Sequence, residues 1–491
     1  MSLLQMNHIT FTYEGSFDPV FEDCSFRLDT EWRLGLTGRN GRGKTTLLRL
    51  LCGELPYRGS IVTDVRKFDY FPFSIPDETQ TVLQAMQNLC PDCLQWQFVR
   101  ELHLLQVQER VLEQPFGNLS KGEQTKVLLA ALFLREGHFL LIDEPTNHLD
   151  SAGRKLVGDY LCRKRGFILV SHDRAFLDRC VDHILFLGRK DNIVCAGNFS
   201  TFWQNKQYRD QFELAENEKL KKEVSRLSAA AGRAAGWAGQ AEKQKSARNS
   251  GLRPDRGYAG HKAAKMMKRA KTTEQRRQRV AKEKAELLQN LEKTEELKLS
   301  ALPAKGLLAE FQNVSIRYGG VPVCGPVSLR VEGGQRVALQ GGNGCGKSSL
   351  LHLLLGRPVP HEGTLWRAAG LRISHMPQDT SFLAGNLSGF AKGRGIDETQ
   401  LRTILRKLDF SREQFEKPLE SYSGGQKKKV LIAASLCEQA QLYLWDEPLN
   451  FVDIYSRMQI EKLLLDFQPT MLFVEHDSAF VSRVATDVVV L

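Results

Sequence analysis

Two glycine-rich segments of this chain have the residue types that bind phosphate groups. Gly38-Arg-Asn-Gly-Arg-Gly-Lys44-Thr45 and Gly341-Gly-Asn-Gly-Cys-Gly-Lys347-Ser348 share one spacing. Glycines let backbone N–H groups approach an anion, and a helix starting near the lysine points its positive end at the same place. The segments predict triphosphate binding through Gly38, Asn40, Gly41, Gly43, Lys44, Thr45 and Thr46 in one and Gly341, Asn343, Gly344, Gly346, Lys347, Ser348 and Ser349 in the other.

Acidic residues and a histidine add hydrolytic chemistry. Asp143-Glu144 and Asp446-Glu447 each follow an apolar run. There the aspartates, with Thr45 and Ser348, are candidates to hold Mg²⁺, and the glutamates to polarise an attacking water. His172 and His476 follow the next apolar run, where an imidazole can contact the terminal phosphate. The alternatives are a solvated acidic turn and structural histidines.

An internal repeat supports the chemical interpretation. The two glycine loops, the Ser120 and Ser423 segments, and the two Asp-Glu pairs each lie 303 residues apart, and the His-Asp pairs 304 apart. A plain glycine turn does not explain a shared offset. The sequence therefore predicts two copies of one domain, at 1–205 and 306–491, around an intervening segment, 206–305.

The elements that must position these residues follow an α/β pattern. Short apolar runs at 32–37, 139–142 and 167–170 are typical of buried strands, and they alternate with periodic stretches at 44–51 and 121–135 that favour helices. A strand, a glycine-rich turn and a helix, in that order, is the context that the phosphate-binding motif requires.

A third motif gives each half a family resemblance. Leu119-Ser-Lys-Gly-Glu-Gln124 and Tyr422-Ser-Gly-Gly-Gln-Lys427 precede the Asp-Glu pairs by some 20 residues. They resemble the signature motif of ATP-binding-cassette (ABC) ATPases, which implies signature roles for Ser120, Gly122, Gln124, Ser423, Gly424, Gly425 and Gln426.

The resemblance also implies how the two halves cooperate. In that family the domains meet head to tail, so that Lys44 and Ser423 enclose one ATP and Lys347 and Ser120 the other. It further suggests Tyr13 and Tyr318 as rings that stack on adenine, with burial in a strand as the alternative, and Asp150 and Asp453 as D-loop residues. The pairing is expected within one monomeric chain.

The halves depart from each other at several family positions. Gln378, in Met-Pro-Gln, resembles the Mg²⁺-sensing glutamine, but the first half has Phe71-Pro-Phe73 at that place. Lys121 replaces a signature glycine, and Leu449-Asn-Phe451 stands where the first half has Thr-Asn-His. Because both glutamates are present, we expect two competent but unequal sites that use ATP and Mg²⁺.

Composition limits the classes of protein that remain. With 491 residues, 42% apolar and 25% charged, the chain is long enough for two or three globular domains. Ten scattered cysteines without a secretory leader favour a reduced, cytoplasmic protein, and Cys90 and Cys93 are interpreted as ordinary thiols rather than a zinc site. No apolar run approaches the roughly 20 residues of a membrane span.

The intervening segment contains the net charge. Residues 206–300 have 24 Lys and Arg against 13 Asp and Glu, whereas the rest of the chain has 44 of each. The sequence predicts a helix from Asn205 to about Arg248, a loop at 249–260, and a helix from Gly260 to about Leu299. Residues 243–282 have a net charge of +12, a density that suits a phosphate backbone. The alternative is a solvated helical hairpin.

Two cassettes without membrane spans, joined by a basic helical arm, resemble the ABC-F translation factors. The segments 250–269 and 445–451, with Phe17-Asp18 and Phe21-Glu22, are similar to the Lsa-type antibiotic-resistance members. The resemblance implies binding at the ribosomal E site, with the arm near the P-site tRNA and the peptidyl transferase centre. It also implies that the loop at 252–258 is the resistance determinant against lincosamides, pleuromutilins and streptogramin A.

The candidate RNA-binding or resistance residues of the arm are Trp237, Lys245, Arg253, Arg256, Tyr258, Lys262, Lys265, Lys268 and Arg269. Tyr258 and Trp237 are expected to stack on bases, although Trp237 packing between the helices is an equal alternative. Displacement of drug through rRNA is preferred to a direct clash with Tyr258. Two other functions stay open: a housekeeping ABC-F factor and a DNA-handling ATPase. The latter class usually has zinc-finger cysteines or very long coiled coils, which this sequence lacks.

Overall fold

A computed structural model describes residues 3–14, 19–65, 67–135, 137–188, 192–246 and 296–491, with seven further residues between 265 and 279. It divides into two compact units. One comprises 1–188, 192–200 and 294–491, and the other 189–191 and 201–293. Phe17 and Asp18 lie outside the described residues.

The first half of the larger unit alternates strands and helices. In chain order they are β1 (Leu3–Phe11), β2 (Phe21–Asp29), β3 (Arg33–Thr37), α1 (Lys44–Leu51), β4 (Arg58–Thr63), β5 (Lys67–Phe71), α2 (Val82–Leu89), α3 (Gln95–Leu104), α4 (Lys121–Phe133), β6 (His138–Asp143), α5 (Ser151–Cys162), β7 (Phe167–Val170), α6 (Arg174–Cys180), β8 (His183–Leu187) and β9 (Asn192–Ala196).

A mostly parallel sheet places the predicted site residues along one edge. Its strand order is β5-β6-β7-β3-β8-β9, and only β9 runs antiparallel to its neighbour. The strands β3, β6 and β7 are buried apolar runs, as strands covered on both faces require. Ligands of such sheets bind where the carboxyl ends of the strands meet. The Gly38 loop, Asp143 and His172 all follow those ends.

The second half repeats this order, as the sequence offset predicts. Its elements are β10 (Leu307–Tyr318), β11 (Val321–Glu332), β12 (Arg336–Gln340), α8 (Lys347–Leu354), β13 (His361–Arg367), β14 (Ile373–Met376), α9 (Leu387–Arg394), α10 (Glu398–Lys407), α11 (Gly424–Cys437), β15 (Leu442–Asp446), α12 (Ile454–Phe467), β16 (Met471–Val474), α13 (Ser478–Val484) and β17 (Asp487–Val490). The parallel sheet β14-β15-β16-β12-β17 again places the glycine loop after a central strand.

Each half also contains a three-stranded antiparallel sheet, β2-β1-β4 or β11-β10-β13. The face of this sheet packs on the first helix of its half. Leu47, Leu48, Leu50 and Leu51 of α1 belong to one apolar cluster with the inward residues of β1 and β2, and Leu350, Leu351, Leu353 and Leu354 of α8 occupy the matching place. The helix that starts at each glycine loop is therefore held on both sides by apolar contacts.

The helix α7 (Phe199–Ser246) begins in the larger unit and belongs to the smaller unit from Thr201 onward. The helix begins six residues before the predicted Asn205. In the larger unit, Ser200 donates its backbone N–H to the Asp178 carboxylate at 2.7 Å, and its hydroxyl donates to the same group. Asp178 thus satisfies an N–H of the first turn, a long-range cap that the local sequence does not reveal.

The prediction that the second helix of the arm continues to about Leu299 is wrong at its C-terminal end. Residues 296–300 have no regular secondary structure, and exposed and buried side chains alternate along them. Leu297 and Leu299 are buried in the apolar cluster of the second half. Burial of every second residue requires extended backbone, which overrides the helical pattern.

Most arm candidates lie outside the described residues: Arg253, Arg256, Tyr258, Lys262 and Arg269. Trp237 and Lys245 belong to α7, and Lys265 and Lys268 are helical and exposed. Elsewhere, the thiols of Cys90 and Cys93 donate to carbonyl oxygens of Ala131 and Leu134. None of the helices in the described ranges has an apolar stretch that would cross a bilayer.

Candidate functional site

The two glycine loops have the backbone that phosphate binding needs. Gly41 and Gly43 have φ of 81° and 84°, and Gly344 and Gly346 have φ of 79° and 91°. This left-handed region strains residues with a side chain, so the glycines are required for the turn. Gly43 and Gly346 directly precede the first helical residues, Lys44 and Lys347, so each loop opens onto a helix N-terminus.

The loop lysines bond to their own loops. The Lys44 ammonium donates to the carbonyls of Gly38 at 2.9 Å and Arg39 at 3.1 Å. The Lys347 ammonium donates to the carbonyls of Gly341 at 3.0 Å and Gly342 at 2.7 Å. Burial lowers the pKa of Lys44. Each loop therefore holds a desolvated cation at its centre, where it is placed to neutralise a phosphate.

The carboxylates of the first half lie beside this loop. Thr45 Oγ1 and the Tyr70 hydroxyl each donate to Asp143 Oδ2 at 3.0 Å. His172 Nε2 lies 3.5 Å from Glu144 Oε1. Burial lowers the pKa of His172 well below its usual value, with the positive charge of Lys44 adding to the effect, so the imidazole is neutral.

The second half has a denser network around its glutamate. Gln378 Nε2 donates to Glu447 Oε2 at 2.8 Å, and Asn450 Nδ2 donates to the same oxygen at 2.6 Å. His476 Nε2 lies 3.5 Å from Glu447 Oε1. The predicted Mg²⁺-sensing glutamine thus contacts the catalytic candidate Glu447 here, not Asp446.

The two glutamates differ in acidity because their surroundings differ. Burial and the neighbouring Asp143 raise the pKa of Glu144 to about 8. Burial also disfavours the charged form of Glu447, but the neighbouring His476 imidazole and the hydrogen bond from Gln378 outweigh burial and lower its pKa. The prediction of two unequal sites therefore has a physical counterpart in the hydrogen-bond donors.

Residues of both halves enclose the second glycine loop. A cavity of about 900 Å³ is lined by Lys347, Ser348, Gln378, Glu447 and His476 of the second half, and by Ser120, Gly122, His148 and Asp150 of the first. Asn343 Nδ2 donates to the His148 carbonyl at 3.3 Å across the halves. The cavity has the predicted pairing of Lys347 with Ser120 and room for a nucleotide.

The first glycine loop faces the second half in the same way. Asn40 Nδ2 donates to the Phe451 carbonyl at 3.3 Å. A Cβ built on Gly425 would come 3.0 Å from Asn40 Nδ2. Arg39 is buried, lies 3.6 Å from the Asp409 carboxylate and stacks over the Tyr455 ring. The first glycine loop thus lies against the signature segment of the second half.

Signature residues divide into two groups by position. Ser120 and Ser423 cap α4 and α11 by accepting from Glu123 N and Gln426 N, and Glu123 and Gln426 return the bond as capping boxes. Gly424 and Gly425 pack against Phe451. Gln124 is buried and donates to the Phe116 carbonyl, so it supports the turn rather than lining the cavity.

The two candidate adenine rings are exposed, which excludes burial in a strand. Tyr13 is 41% and Tyr318 45% exposed. The Tyr13 hydroxyl bonds to Thr46 Oγ1 at 2.8 Å, and the Tyr318 hydroxyl bonds to Ser349 Oγ at 3.2 Å. These bonds place each ring beside the first turn of the helix that follows its glycine loop.

The two D-loop candidates have different environments. Asp150 lines the cavity at the second glycine loop and caps α5 by accepting from Gly153 N at 2.7 Å. Asp453 is fully buried and forms an ion pair with Lys429 at 2.6 Å. Burial opposes ionisation of Asp453, but Lys429 more than offsets it and lowers the pKa far below the ordinary value.

The residues present fit Mg²⁺. Asp446 Oδ1 is buried without a hydrogen-bond partner in the part of the chain that the structure describes. Hydroxyl and carboxylate oxygens, such as those of Thr45 and Asp143 or Ser348 and Asp446, are the ligands that this ion prefers. An unpartnered buried carboxylate oxygen is costly unless a ligand supplies the missing contact.

Sequence reasoning missed four residues that belong to this site. They are Arg39, Tyr70, Arg174 and Asn450. Arg174, on α6, pairs with the buried Glu461 carboxylate of α12 in the other half. Arg39 lies within the first glycine-rich segment and Asn450 within the Leu449-Asn-Phe451 segment, whereas Tyr70 and Arg174 belong to no motif.

Known proteins are similar to this chain over both halves. A family model described as ABC transporter matches residues 21–147 and 324–450. The chain is 29% identical over 489 residues to the ribosome protection protein VmlR of Bacillus subtilis (strain 168), covering 98% of this chain and 85% of that protein. It is 24% identical over 512 residues to the ATP-binding protein Uup of Buchnera aphidicola, covering 99% and 80%.

Solved structures share the fold. The archaeal ribosome recycling factor aABCE1, solved in complex with the ribosomal stalk protein aP1, has a TM-score of 0.60 at 18% identity, covering 94% of this chain and 84% of that one. A chain in a model of ribosome-bound archaeal Pelota and ABCE1 has a TM-score of 0.59 at 19% identity, covering 93% and 72%.

Proposed function

The chain belongs to the ABC transporter family and is an ATPase with two tandem ABC domains, and from that premise we propose that it is an ABC-F factor that binds the bacterial ribosome and protects it from antibiotics. The observation that carries the proposal is that each glycine loop faces the signature segment of the other half. Two nucleotides bound at such composite sites hold the halves together, so ATP acts as a clamp.

In the proposed reaction each half supplies its own catalytic set. Lys44 and Lys347 bind the phosphates. Thr45 and Asp143, or Ser348 and Asp446, would hold Mg²⁺, which would supply positive charge beside the phosphate oxygens. Glu144 and Glu447 accept the proton of the attacking water. A raised pKa suits this role for Glu144, since a general base works best when its pKa is near the working pH.

The histidines orient the base in this proposal. His172 and His476 lie 3.5 Å from the carboxylates of Glu144 and Glu447. An imidazole N–H at that place can donate to the carboxylate or to the terminal phosphate. Signature serines at the starts of α4 and α11 present helix N-termini to the opposite nucleotide.

Ribosome binding is inferred from similarity and from charge. VmlR, matched over nearly the whole chain, is named a ribosome protection protein. Residues 243–282 have a net charge of +12, and within them Lys265 and Lys268 are exposed on helical backbone. Such a charge density favours contact with the phosphates of 23S rRNA and P-site tRNA. We place the protein at the E site in the cytoplasm.

For drug protection we propose that the closed form presents the arm to rRNA and tRNA, and that the arm shifts the drug pocket through rRNA. Lincosamides, pleuromutilins and streptogramin A then leave the peptidyl transferase centre. ATP hydrolysis opens the clamp and releases the factor. The segment at 252–258, with Tyr258, is the proposed resistance determinant and lies outside the described residues.

The clamp is tested by removing hydrolysis at both sites. Glu144→Gln and Glu447→Gln together keep the shape of each side chain but remove the base. We expect the double variant to accumulate on ribosomes that are sedimented with ATP at moderate salt, because the closed form cannot open. The measurement is the amount of protein in the ribosome pellet relative to wild type.

A matched control changes nucleotide binding instead of hydrolysis. Lys44→Ala and Lys347→Ala remove the phosphate-binding cations, so this variant should stay in the supernatant with or without ATP. If the glutamine variant is no more abundant in the pellet than wild type, the clamp model is wrong.

A second candidate function is a housekeeping ABC-F factor without a resistance role. The chain is similar over 99% of its length to Uup, whose name describes ATP binding and no resistance role, and this similarity favours the housekeeping function as an alternative. Expression in a drug-sensitive bacterium separates the two functions. Raised inhibitory concentrations of a pleuromutilin or lincosamide support protection, and unchanged concentrations support the housekeeping role.

A further inference from the structure

The two sites differ at the position of the metal-sensing glutamine. The second half has Gln378 after Met376-Pro, and its amide donates to Glu447. The first half has Phe73 after Phe71-Pro, and a phenylalanine ring has no group that can bond to a carboxylate or a metal ligand. The carboxylates of the first site therefore take their hydrogen bonds from other residues, and those of Asp143 come from Thr45 and Tyr70.

Tyr70 has the geometry of such a donor. It lies on β5, which pairs in parallel with β6, the strand that ends at Asp143. The Tyr70 hydroxyl donates to Asp143 Oδ2 at 3.0 Å, and Thr45 Oγ1 donates to the same oxygen at 3.0 Å. The Tyr70 ring packs against the apolar cluster of the first half, so its position is fixed.

The second half does not reproduce this contact. His375 occupies the matching place, one residue before Met376-Pro, and its Nε2 is buried without a hydrogen-bond partner among the described residues. In that half the glutamine is present and the phenol is absent. In the first half the phenol is present and the glutamine is absent.

We propose that Tyr70 is a positioning residue of the first site, which orients the Asp143 carboxylate toward the divalent cation that accompanies ATP. The inference rests on nucleotide binding in the proposed function and not on the ribosome. Metal-ligating carboxylates are themselves held by hydrogen bonds from outside the ligand set, and loss of such a bond typically costs about 10- to 100-fold in metal affinity. If Thr45 were to hold the cation, Tyr70 would remain as the hydrogen-bond donor to Asp143.

The experiment counts bound Mn²⁺ by electron paramagnetic resonance, without ribosomes. The background is the full chain with Glu144→Gln and Glu447→Gln, so that ATP stays intact at both sites. We expect two Mn²⁺ per chain in the background. Adding Tyr70→Phe should weaken one of them about 10-fold and leave the other unchanged.

Two further variants make the result specific. His375→Phe, at the matching place of the second half, should leave both Mn²⁺ unchanged. Tyr70→His, which places the second-half residue in the first half, should weaken the same site as Tyr70→Phe and covers the case in which the phenylalanine variant fails to fold. A merely structural role would lower the thermal midpoint and leave the Mn²⁺ dissociation constants unchanged.

The proposal is overturned if both Mn²⁺ in a folded Tyr70→Phe variant bind within about twofold of the background, or if both weaken equally. Failure of the proposed function has a different signature, since it appears as a lack of ribosome sedimentation with normal Mn²⁺ binding. A parallel readout is the Mg²⁺ concentration for half-maximal ATPase of Tyr70→Phe in the otherwise native chain, which should rise.

Discussion

Both catalytic glutamates have a backbone that is uncommon for residues with a side chain. Glu144 has φ of 52° and Glu447 φ of 47°. The sheet edge imposes this conformation, because the N–H groups of Glu144 and Glu447 donate to the carbonyls at the ends of β7 and β16. Left-handed backbone at such residues stores strain of about 1 to 3 kcal/mol and persists where the surroundings over-determine it. Here the strain sets the direction of the carboxylates.

This strain predicts an unusual order of stability. At position 144, Glu144→Gly should unfold at a higher temperature than Glu144→Ala, because glycine adopts positive φ freely and alanine pays about 1 kcal/mol there. Both variants lose hydrolysis at the first site, so activity does not confuse the comparison. The measurement is the midpoint of thermal unfolding for the two purified variants.

The control is the same pair of substitutions on an ordinary helix. Lys155 lies exposed within α5. There the order should reverse, with Lys155→Gly less stable than Lys155→Ala by roughly 1 kcal/mol. An alanine at 144 that is as stable as the glycine would show that the left-handed backbone is not retained.

At this scale the sequence predicts residues within motifs and misses those that meet through the fold. The loops, the Asp-Glu pairs and the histidines are brought together at the edge of the parallel sheets. Tyr70 and Arg174 have no motif, because their partners Asp143 and Glu461 are distant in the chain. A single sequence does not tell which buried tyrosine or arginine will meet a distant carboxylate.

The signature helices α4 and α11 differ in how closely their first turns approach a neighbouring backbone carbonyl. A Cβ built on Gly425 of α11 would lie 2.3 Å from the Phe451 carbonyl, whereas one on Gly122 of α4 would lie 3.4 Å from the His148 carbonyl. The first distance is impossible without a backbone shift, and the second is an ordinary contact. Phe451 is also the residue that accepts from Asn40 across the halves.

Alanine at these two positions should therefore have unequal effects. Gly425→Ala displaces Phe451 and disturbs the first site, so we expect ATPase activity to fall by about 10-fold or more, since small misplacements of positioning groups are costly. Gly122→Ala is the matched control and should change activity by less than about threefold. Steady-state ATPase assays of the two variants decide the matter, and equal losses would contradict the role of the close approach.

Element types follow from the sequence more reliably than element ends. Buried apolar runs and glycine turns predict the strands and helices that hold the site. The start of α7 and the end of the arm are displaced, because Asp178 caps one and burial of Leu297 and Leu299 holds the other extended. Both causes are contacts with residues far along the chain, which local periodicity does not report.

In the larger unit, charged side chains join the two halves at positions that the repeat does not duplicate. Arg39 reaches Asp409 and Tyr455 at the first site, and Arg174 reaches Glu461. In the repeat, Gly342 stands at the position that matches Arg39. Ser478 and Gly158 stand at the positions that match Arg174 and Glu461. Arg39 therefore gives the first glycine loop a charged contact with the other half that a glycine at 342 cannot give the second loop.

The net charge of the chain is distributed unevenly between the arm and the two ATPase halves. Outside 206–300 the positive and negative residues balance, so the net charge of +11 belongs to the arm. Within the arm the charge is uneven. Residues 206–242 have seven Lys and Arg against six Asp and Glu, whereas 243–282 have 14 against two.

This distribution predicts how ribosome binding depends on salt. Lys265, Lys268 and Lys271 are exposed in the strongly basic stretch, so changing all three to Gln should weaken binding and reduce the slope of log affinity against log salt by about 2 to 3, because each lysine on a phosphate releases counterions. The control changes to Gln the residues Lys219, Lys222 and Arg226, which are exposed in the near-neutral stretch. It removes the same amount of charge outside the strongly basic stretch and should leave the slope almost unchanged. Sedimentation of the Glu144→Gln, Glu447→Gln protein across a salt series measures both. Equal slopes for the two triple variants would mean that the arm attracts the ribosome only through total charge.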